Sequence, residues 1–197
     1  MSTPRAASTT GKASPRDRLL DAGAHLFYRD GVSIGVEALC RAAGVSKRSM
    51  YQLFGSKDEV LAASLERRLP GYEARLVVPD PRDAAAPRER ILHVFERLAQ
   101  AAAEPGYRGC PYLAALVELK DPGHEASRVA QGAKERLGEW FRAQAEHGGA
   151  ADPVRLARQL MPVFDGAAAR SGARLDTLSD GLAAATAATL LDAAGVR

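Results

Sequence analysis

At 197 residues, with 46% hydrophobic but only 6% aromatic content, the chain has room for one large helical domain or a small one fused to a larger one, and its Ala- and Leu-dominated apolar content favours helices over sheets. No apolar stretch of membrane-spanning length and no charged-then-apolar leader occurs, so neither insertion nor export is expected and the reading is a cytoplasmic protein; Cys40 and Cys110 form no disulfide framework. The net charge of +3 is uneven, with 11 basic and 7 acidic residues up to Leu69 and 16 and 17 from Pro70 onward, as in a small DNA-binding head on a neutral body.

Residues 1–14, MSTPRAASTTGKAS, carry no apolar period and read as a disordered tail, from which Arg5 and Lys12 could reach DNA as an arm. Pro15 can open a first helix running to about Asp30, with Leu19, Ala22/Gly23 and Leu26/Phe27 on one face and His25 on the polar side. The connection Gly31-Val32-Ser33-Ile34-Gly35 spells G-x-S-x-G, the nucleophile elbow of serine hydrolases. That chemistry needs a strand before the serine, and here an amphipathic helix precedes it.

From Val36 the text VEALCRAAGVSKRSMYQLFGSK reads as two short helices joined by a tight turn: Val36, Leu39 and Ala43 fall one helical turn apart, Gly44 interrupts, and Val45, Met50 and Leu53/Phe54 resume the period. Gly44 supplies the turn's backbone angles, Ser46 can cap the second helix, and Cys40 is small enough to let the two helices cross closely. Val45, Met50 and Leu53 are expected to face the core. Lys47, Arg48, Ser49, Tyr51 and Gln52 face outward as donors suited to guanine edges, adenine edges and phosphates. Ser56 should cap the next helix, leaving Lys57 at the DNA-facing edge for a phosphate.

The run AGVSKRSMYQLFGSKDEVLAA resembles the recognition segment of the TetR family of bacterial transcriptional regulators, A-G-V-S-x-x-x-L/M-Y-x-x-F-x-S/N-K-x-x-L, matched at Ala43, Gly44, Val45, Ser46, Met50, Tyr51, Phe54, Ser56, Lys57 and Val60/Leu61. The likeness covers about a quarter of the chain, from Arg16 to Leu65. It departs at Leu53, where the family often has His, and at Gly35, where it often has Thr or Ser; a phosphate contact there would fall to backbone N–H groups or Ser33. The resemblance implies that Ser46, Lys47, Arg48, Ser49, Tyr51, Gln52 and Lys57 bind DNA.

A fourth helix is expected from Ser56 to about Arg68, ending before Pro70-Gly71, followed over 72–86 by a short helix end and then a loop that divides a DNA-binding domain, 15–69, from a ligand-binding and dimerisation domain, 70–197. A fifth helix should span Pro87 to Glu104, with Ile91, Val94/Phe95, Leu98 and Ala102 inward and His93 on the polar side. The following segment, Gly109-Cys110-Pro111-Tyr112 through Glu118 and Asp121-Pro122-Gly123-His124, is similar to a G-C-x-F-x-N-x-x-x-E plus D-P-x-H signature in the ligand-binding part of one TetR subgroup, with Ala114 in place of Asn. Asp121 and His124 are too few for a metal site and suit a capping turn; Cys110, beside a helix start, is either packing or a redox sensor.

Another helix should run from about Glu125 to His147, with Ala126, Val129/Ala130, Ala133, Leu137 and Trp140/Phe141 on one face. Two last helices, Asp152 to about Ala169 and Asp176 to about Ala194, carry more apolar surface than one core consumes. The resemblance makes them a four-helix dimer interface, placed on Leu156, Leu160, Phe164, Leu178, Leu182, Ala185 and Thr189. A two-fold dimer is also what a helix-turn-helix head needs to occupy successive major grooves.

The expected protein is all-α: a three-helix head on a helical body, a homodimeric repressor of a near-palindromic operator on double-stranded DNA, without cofactor, metal or catalytic residues. Its small apolar or aromatic effector would lie against Phe95, Cys110, Tyr112, Leu116, Trp140, Phe141, Met161 and Phe164. The alternatives are a hydrolase with Ser33 or Cys110 as nucleophile, and a dimeric helical adaptor without DNA binding.

Overall fold

The computed structural model describes residues 13–77 and 86–197, so residues 1–12 of the expected tail and 78–85 of the expected loop lie outside them, while Ser14, placed in the tail from sequence, caps the first helix. The described residues form α-helices and turns, with no strand among them: α1 (Pro15–Asp30), α2 (Val36–Ala43), α3 (Lys47–Leu53), α4 (Lys57–Leu76), α5 (Pro87–Ala102), α6 (Pro111–Leu119), α7 (Glu125–His147), α8 (Pro153–Gly172) and α9 (Leu182–Ala193). The starts follow local chemistry. Ser14, Ser46, Ser56 and Asp152 each accept a backbone N–H of the helix they precede, and Pro15, Pro87, Pro111 and Pro153 occupy first-turn positions where a missing N–H costs nothing.

In the head, α1, α2 and α3 pack on one another around Leu19, Leu20, Leu39, Cys40, Ala43 and Met50. Gly44 ends α2 in the left-handed conformation, φ 62°, ψ 40°, where its lack of a Cβ removes the steric cost. Leu53 departs from expectation: it is 40% exposed, and Phe54 takes the inward place. The reason is that α3 ends at Leu53 and Phe54 turns to extended backbone, φ −142°, which redirects the side chains at the end of the period. The Arg16 guanidinium lies 5.0 Å over the Phe54 ring.

The expected stop at Pro70 does not occur, and α4 continues through it to Leu76. Pro70 costs the helix one internal hydrogen bond. The continuation brings Leu69 and Leu76 into the core and Tyr72 against it, which offsets that loss and makes α4 the shared beam of head and body, packed on α1 at one end and on α7 at the other.

In the body, α5, α7 and α8 meet around a ring cluster: Phe95 stacks on Phe141 at 5.9 Å and meets Phe164 edge-on at 6.3 Å. Lys134 of α7 pairs with Asp165 of α8, its ammonium 4.9 Å over the Phe164 ring. The last helix starts later than expected, at Leu182 rather than near Asp176. Leu178 and Gly181 adopt left-handed angles, and the Asp176 and Asp180 carboxylates accept from Leu178 and Leu182 N–H, so residues 176–181 are a capped turn.

Candidate functional site

On α3 the outward side chains are those the pattern places there. Arg48, Tyr51 and Gln52 are exposed, Tyr51 by 52%; Lys47 is exposed and paired with Glu37 of α2; Ser49 is half-buried. That pairing holds the Glu37 carboxyl below the usual carboxylate range and leaves Arg48 without a carboxylate partner among the described residues. Ser46 Oγ is committed to the α3 cap, accepting from Ser49 N–H at 3.0 Å. Lys57 Nζ donates one of its three N–H groups to Val32 O at 2.8 Å, tying the start of α4 to the α1–α2 turn. Ser33 lies in that same turn, between two helices and with no strand before it.

One positioning residue has no signal in the text of the motif. Arg18 of α1 donates from Nε to Ala43 O at 2.9 Å and from Nη2 to Gly44 O at 3.3 Å, satisfying carbonyls at the end of α2 and holding α1 across the turn. Its partners stand 25 and 26 positions away, beyond any local pattern.

The second signature, read from sequence as part of a ligand site, also joins head to body. Gly109 O accepts from Tyr28 Oη of α1 at 3.0 Å, and Arg108 N–H donates to the same phenol at 2.8 Å. Cys110, buried, takes a hydrogen bond from Tyr72 Oη at 3.2 Å, and Tyr112 Oη donates to Leu65 O at 3.1 Å. Glu118 accepts from Val32 N–H at 2.7 Å, so charged side chains of α4 and α6 grip both polar groups of one residue in the α1–α2 turn. His124 caps α7 through Nδ1, accepting from Ala126 N–H at 3.1 Å, with Nε2 3.5 Å from Asp58 of α4; Asp121 accepts from Gly123 N–H at 2.8 Å. Ala114 borders a small void of about 30 Å³ into which the buried Ser64 hydroxyl projects without a partner.

Tyr28→Phe would remove two hydrogen bonds at this joint while keeping the ring. Because Arg108 is exposed and water can replace its acceptor, the expected loss is about 0.5–1.5 kcal/mol. It should show as a lower urea midpoint at unchanged denaturant slope.

The eight residues expected against an effector lie in several different settings among the described residues. Phe95, Phe141 and Phe164 are fully buried and packed ring against ring, so they fill core, and Leu116 packs half-buried beside it. Trp140 borders an open cleft of about 420 Å³ between α4 and α7, and Met161 borders a surface hollow beside Lys134 and Arg158. Tyr112 lines a different cleft of about 220 Å³ between α1, α4 and α5, and Cys110 reaches its edge through Tyr72.

The expected interface set divides likewise. Leu156, Leu160, Phe164 and Leu178 are buried within the chain and unavailable to a partner, whereas Leu182 is 55% exposed and Ala185 and Thr189 are exposed. The sequence period marks apolar faces without saying which one the chain itself covers. On α8 the exposed small or apolar positions are Val154, Pro162, Gly166 and Ala169.

Residues 19–64 match the family model for bacterial regulatory proteins of the tetR family. A solved structure from Streptomyces avermitilis, described as a candidate TetR transcriptional regulator, is 59% identical, covers 94% of this chain and 100% of its own, and superposes with a TM-score of 0.90. An uncharacterised helix-turn-helix-type transcriptional regulator of Mycobacterium tuberculosis is 37% identical over 79 residues, 39% of this chain; the match spans 38% of that protein's own length. A TetR-family transcriptional regulator from Streptomyces coelicolor, 24% identical over 92% of this chain and 96% of its own, shares the fold with a TM-score of 0.77.

Proposed function

This chain belongs to the TetR family of bacterial regulatory proteins, and from that premise we propose that it is a homodimeric transcriptional repressor that binds a near-palindromic operator and is released by a small aromatic effector held in its body. The chain is a transcriptional regulator with a helix-turn-helix head, and members of the family are not enzymes. The observation that carries the DNA-binding part is the outer face of α3. Arg48, Tyr51 and Gln52 stand exposed side by side on a helix capped by Ser46, after a turn held by Arg18. Arg forks onto guanine O6 and N7, and Gln pairs bidentately with adenine, so this face can both read bases and seat on phosphates. No helix among the described residues is long and apolar enough to cross a membrane.

The dimer part is supported by the outer face of α9. Thr186 and Thr189 donate their hydroxyls to Leu182 O at 2.8 Å and Ala185 O at 3.1 Å, which satisfies their polarity within the helix and leaves methyl groups beside Leu182 and Ala185. Together with Pro162, Gly166 and Ala169 of α8, that is a smooth, small-residue surface fitted to a second copy of itself across a two-fold axis.

The test is selection of randomised duplex DNA by the full-length chain at about 0.15 M ionic strength, scored for two-fold symmetry of the enriched sites. A symmetric site supports the dimeric regulator; no enrichment would sink operator binding by this head. With that site in hand, Arg48→Ala is expected to cost about 1–3 kcal/mol of operator affinity and relax preference at one base pair. An equal loss on all sequences would place Arg48 on phosphate instead.

A further inference from the structure

The cleft of about 220 Å³ between α1, α4 and α5 is walled by the phenols of Tyr28, Tyr72 and Tyr107, with the guanidinium groups of Arg68, Arg75 and Arg97 beside them. We propose that this cleft binds a small aromatic carboxylate. An assignment of that ligand as effector rests on the regulator reading above.

Size comes first. An apolar cavity of about 150 Å³ is enough to take up benzene, so this cleft has room for an aromatic ring and a carboxylate on it. Charge comes next. Arg68 donates to Ala24 O, Arg75 to Gly71 O, and Arg97 to Arg75 O and the Gln100 amide oxygen; none of the three meets a carboxylate of the described residues. Each guanidinium has five N–H groups, so donors remain on all three. Against them the lining holds one carboxylate, Glu104 at the exposed edge, and the local sign stays positive. Three cations with no carboxylate partner among the described residues, in one partly enclosed cleft, attract an anion, and the planar fork of Arg fits a carboxylate through two parallel hydrogen bonds.

The phenols supply the aromatic half. Burial pushes the Tyr28, Tyr72 and Tyr107 hydroxyls up from their usual range, so all three stay neutral at physiological pH and do not repel an anion. Arg68 stands 5.9 Å over the Tyr28 ring, the same guanidinium-on-ring contact that a ligand ring would make with an arginine of this cleft. The apolar or aromatic effector expected from sequence is thereby refined: aromatic, but carrying one negative charge. The place also suits coupling. Tyr28 belongs to the head and is hydrogen-bonded to Arg108 and Gly109 of the body, and Arg68 bonds the α1 backbone at Ala24, so a ligand touching both bears on how α1 sits against α4.

Titration calorimetry of the full-length chain with benzoate, cinnamate and 1-naphthoate, each paired with its neutral amide, tests the proposal. At least one acid is expected to bind, its amide at least about tenfold more weakly, and Arg75→Gln and Arg97→Gln each to weaken the acid by about tenfold or more with the amide unaffected. Arg75 spends its one described hydrogen bond within its own helix, so Arg75→Gln keeps the fold, which the unfolding midpoint verifies. Failure of every acid, equal binding of acid and amide, or unchanged acid binding by the double variant overturns the site. Operator occupancy, measured in parallel, separates the two ideas. Acids that bind through Arg75 without changing occupancy uphold the cleft and count against effector control. A compound that releases the operator equally from wild type and double variant upholds the regulator and removes the cleft.

Discussion

Phe95→Ala is expected to lower the unfolding free energy by about 3–5 kcal/mol, measured by urea denaturation at one fixed protein concentration. The ring is fully buried where α5, α7 and α8 meet, stacked on Phe141 at 5.9 Å and edge-on to Phe164 at 6.3 Å. Truncation removes its burial, leaves a cavity bounded by three helices that are themselves tied together, and forfeits two ring pairs worth about 0.5–1.5 kcal/mol each beyond their area. The size of the loss also decides what the cluster is. A ring that walled an effector cavity would face empty space on one side and lose much less on truncation. A cost below about 2 kcal/mol would return Phe95 to the cavity-lining role that the sequence suggests.

That contrast marks how far the sequence reaches. The helix-turn-helix was legible because each of its parts has a short-range cause: Gly44 for the left-handed turn, Ser46 and Ser56 for the caps, and a 3.6-residue period through Leu39, Ala43 and Met50. The outward set on α3 followed from the same period. What failed was decided by tertiary contacts. Pro70 is a strong local stop, and burial of Leu69 and Leu76 on either side of it overrides that preference. Leu53 and Phe54 exchange places because the helix ends between them, and no period survives the end of its helix.

The body was legible as helices but not as a site. Phe95, Phe141 and Phe164 carry the same apolar signature whether they fill a core or wall a cavity, and Leu156, Leu160 and Leu178 the same signature whether they face their own chain or a partner. The Arg and Tyr side chains of the cleft come from α1, α4, α5, the segment before α6 and α6 itself, spread from Tyr28 to Tyr112, and nothing local links them. The signature from Gly109 to His124 was visible as a motif, yet its work lies in partners up to 86 positions distant, such as Val32 for Glu118.

Gly109→Ala is expected to cost about 2–5 kcal/mol. Two terms add. At φ 92° an L side chain is strained by about 1–2 kcal/mol, and a Cβ there would lie 2.9 Å from the Ala168 carbonyl oxygen of α8, an overpacking worth about 1–3 kcal/mol against rigid backbone. Gly106 separates the terms, since its φ is 85° but a Cβ would meet nothing within 4 Å. Gly106→Ala should therefore cost only the conformational strain. Urea unfolding of both variants gives the steric part by difference. Equal costs would mean that α8 does not press on this segment; a larger cost at Gly109 means that α8 presses on the residue whose carbonyl accepts from Tyr28. In that case the Gly109 variant should also unfold with less sensitivity to Tyr28→Phe than the wild type does, because the displaced carbonyl no longer receives the phenol's hydrogen bond. Additive losses in the double variant would show instead that the segment moves without breaking that bond.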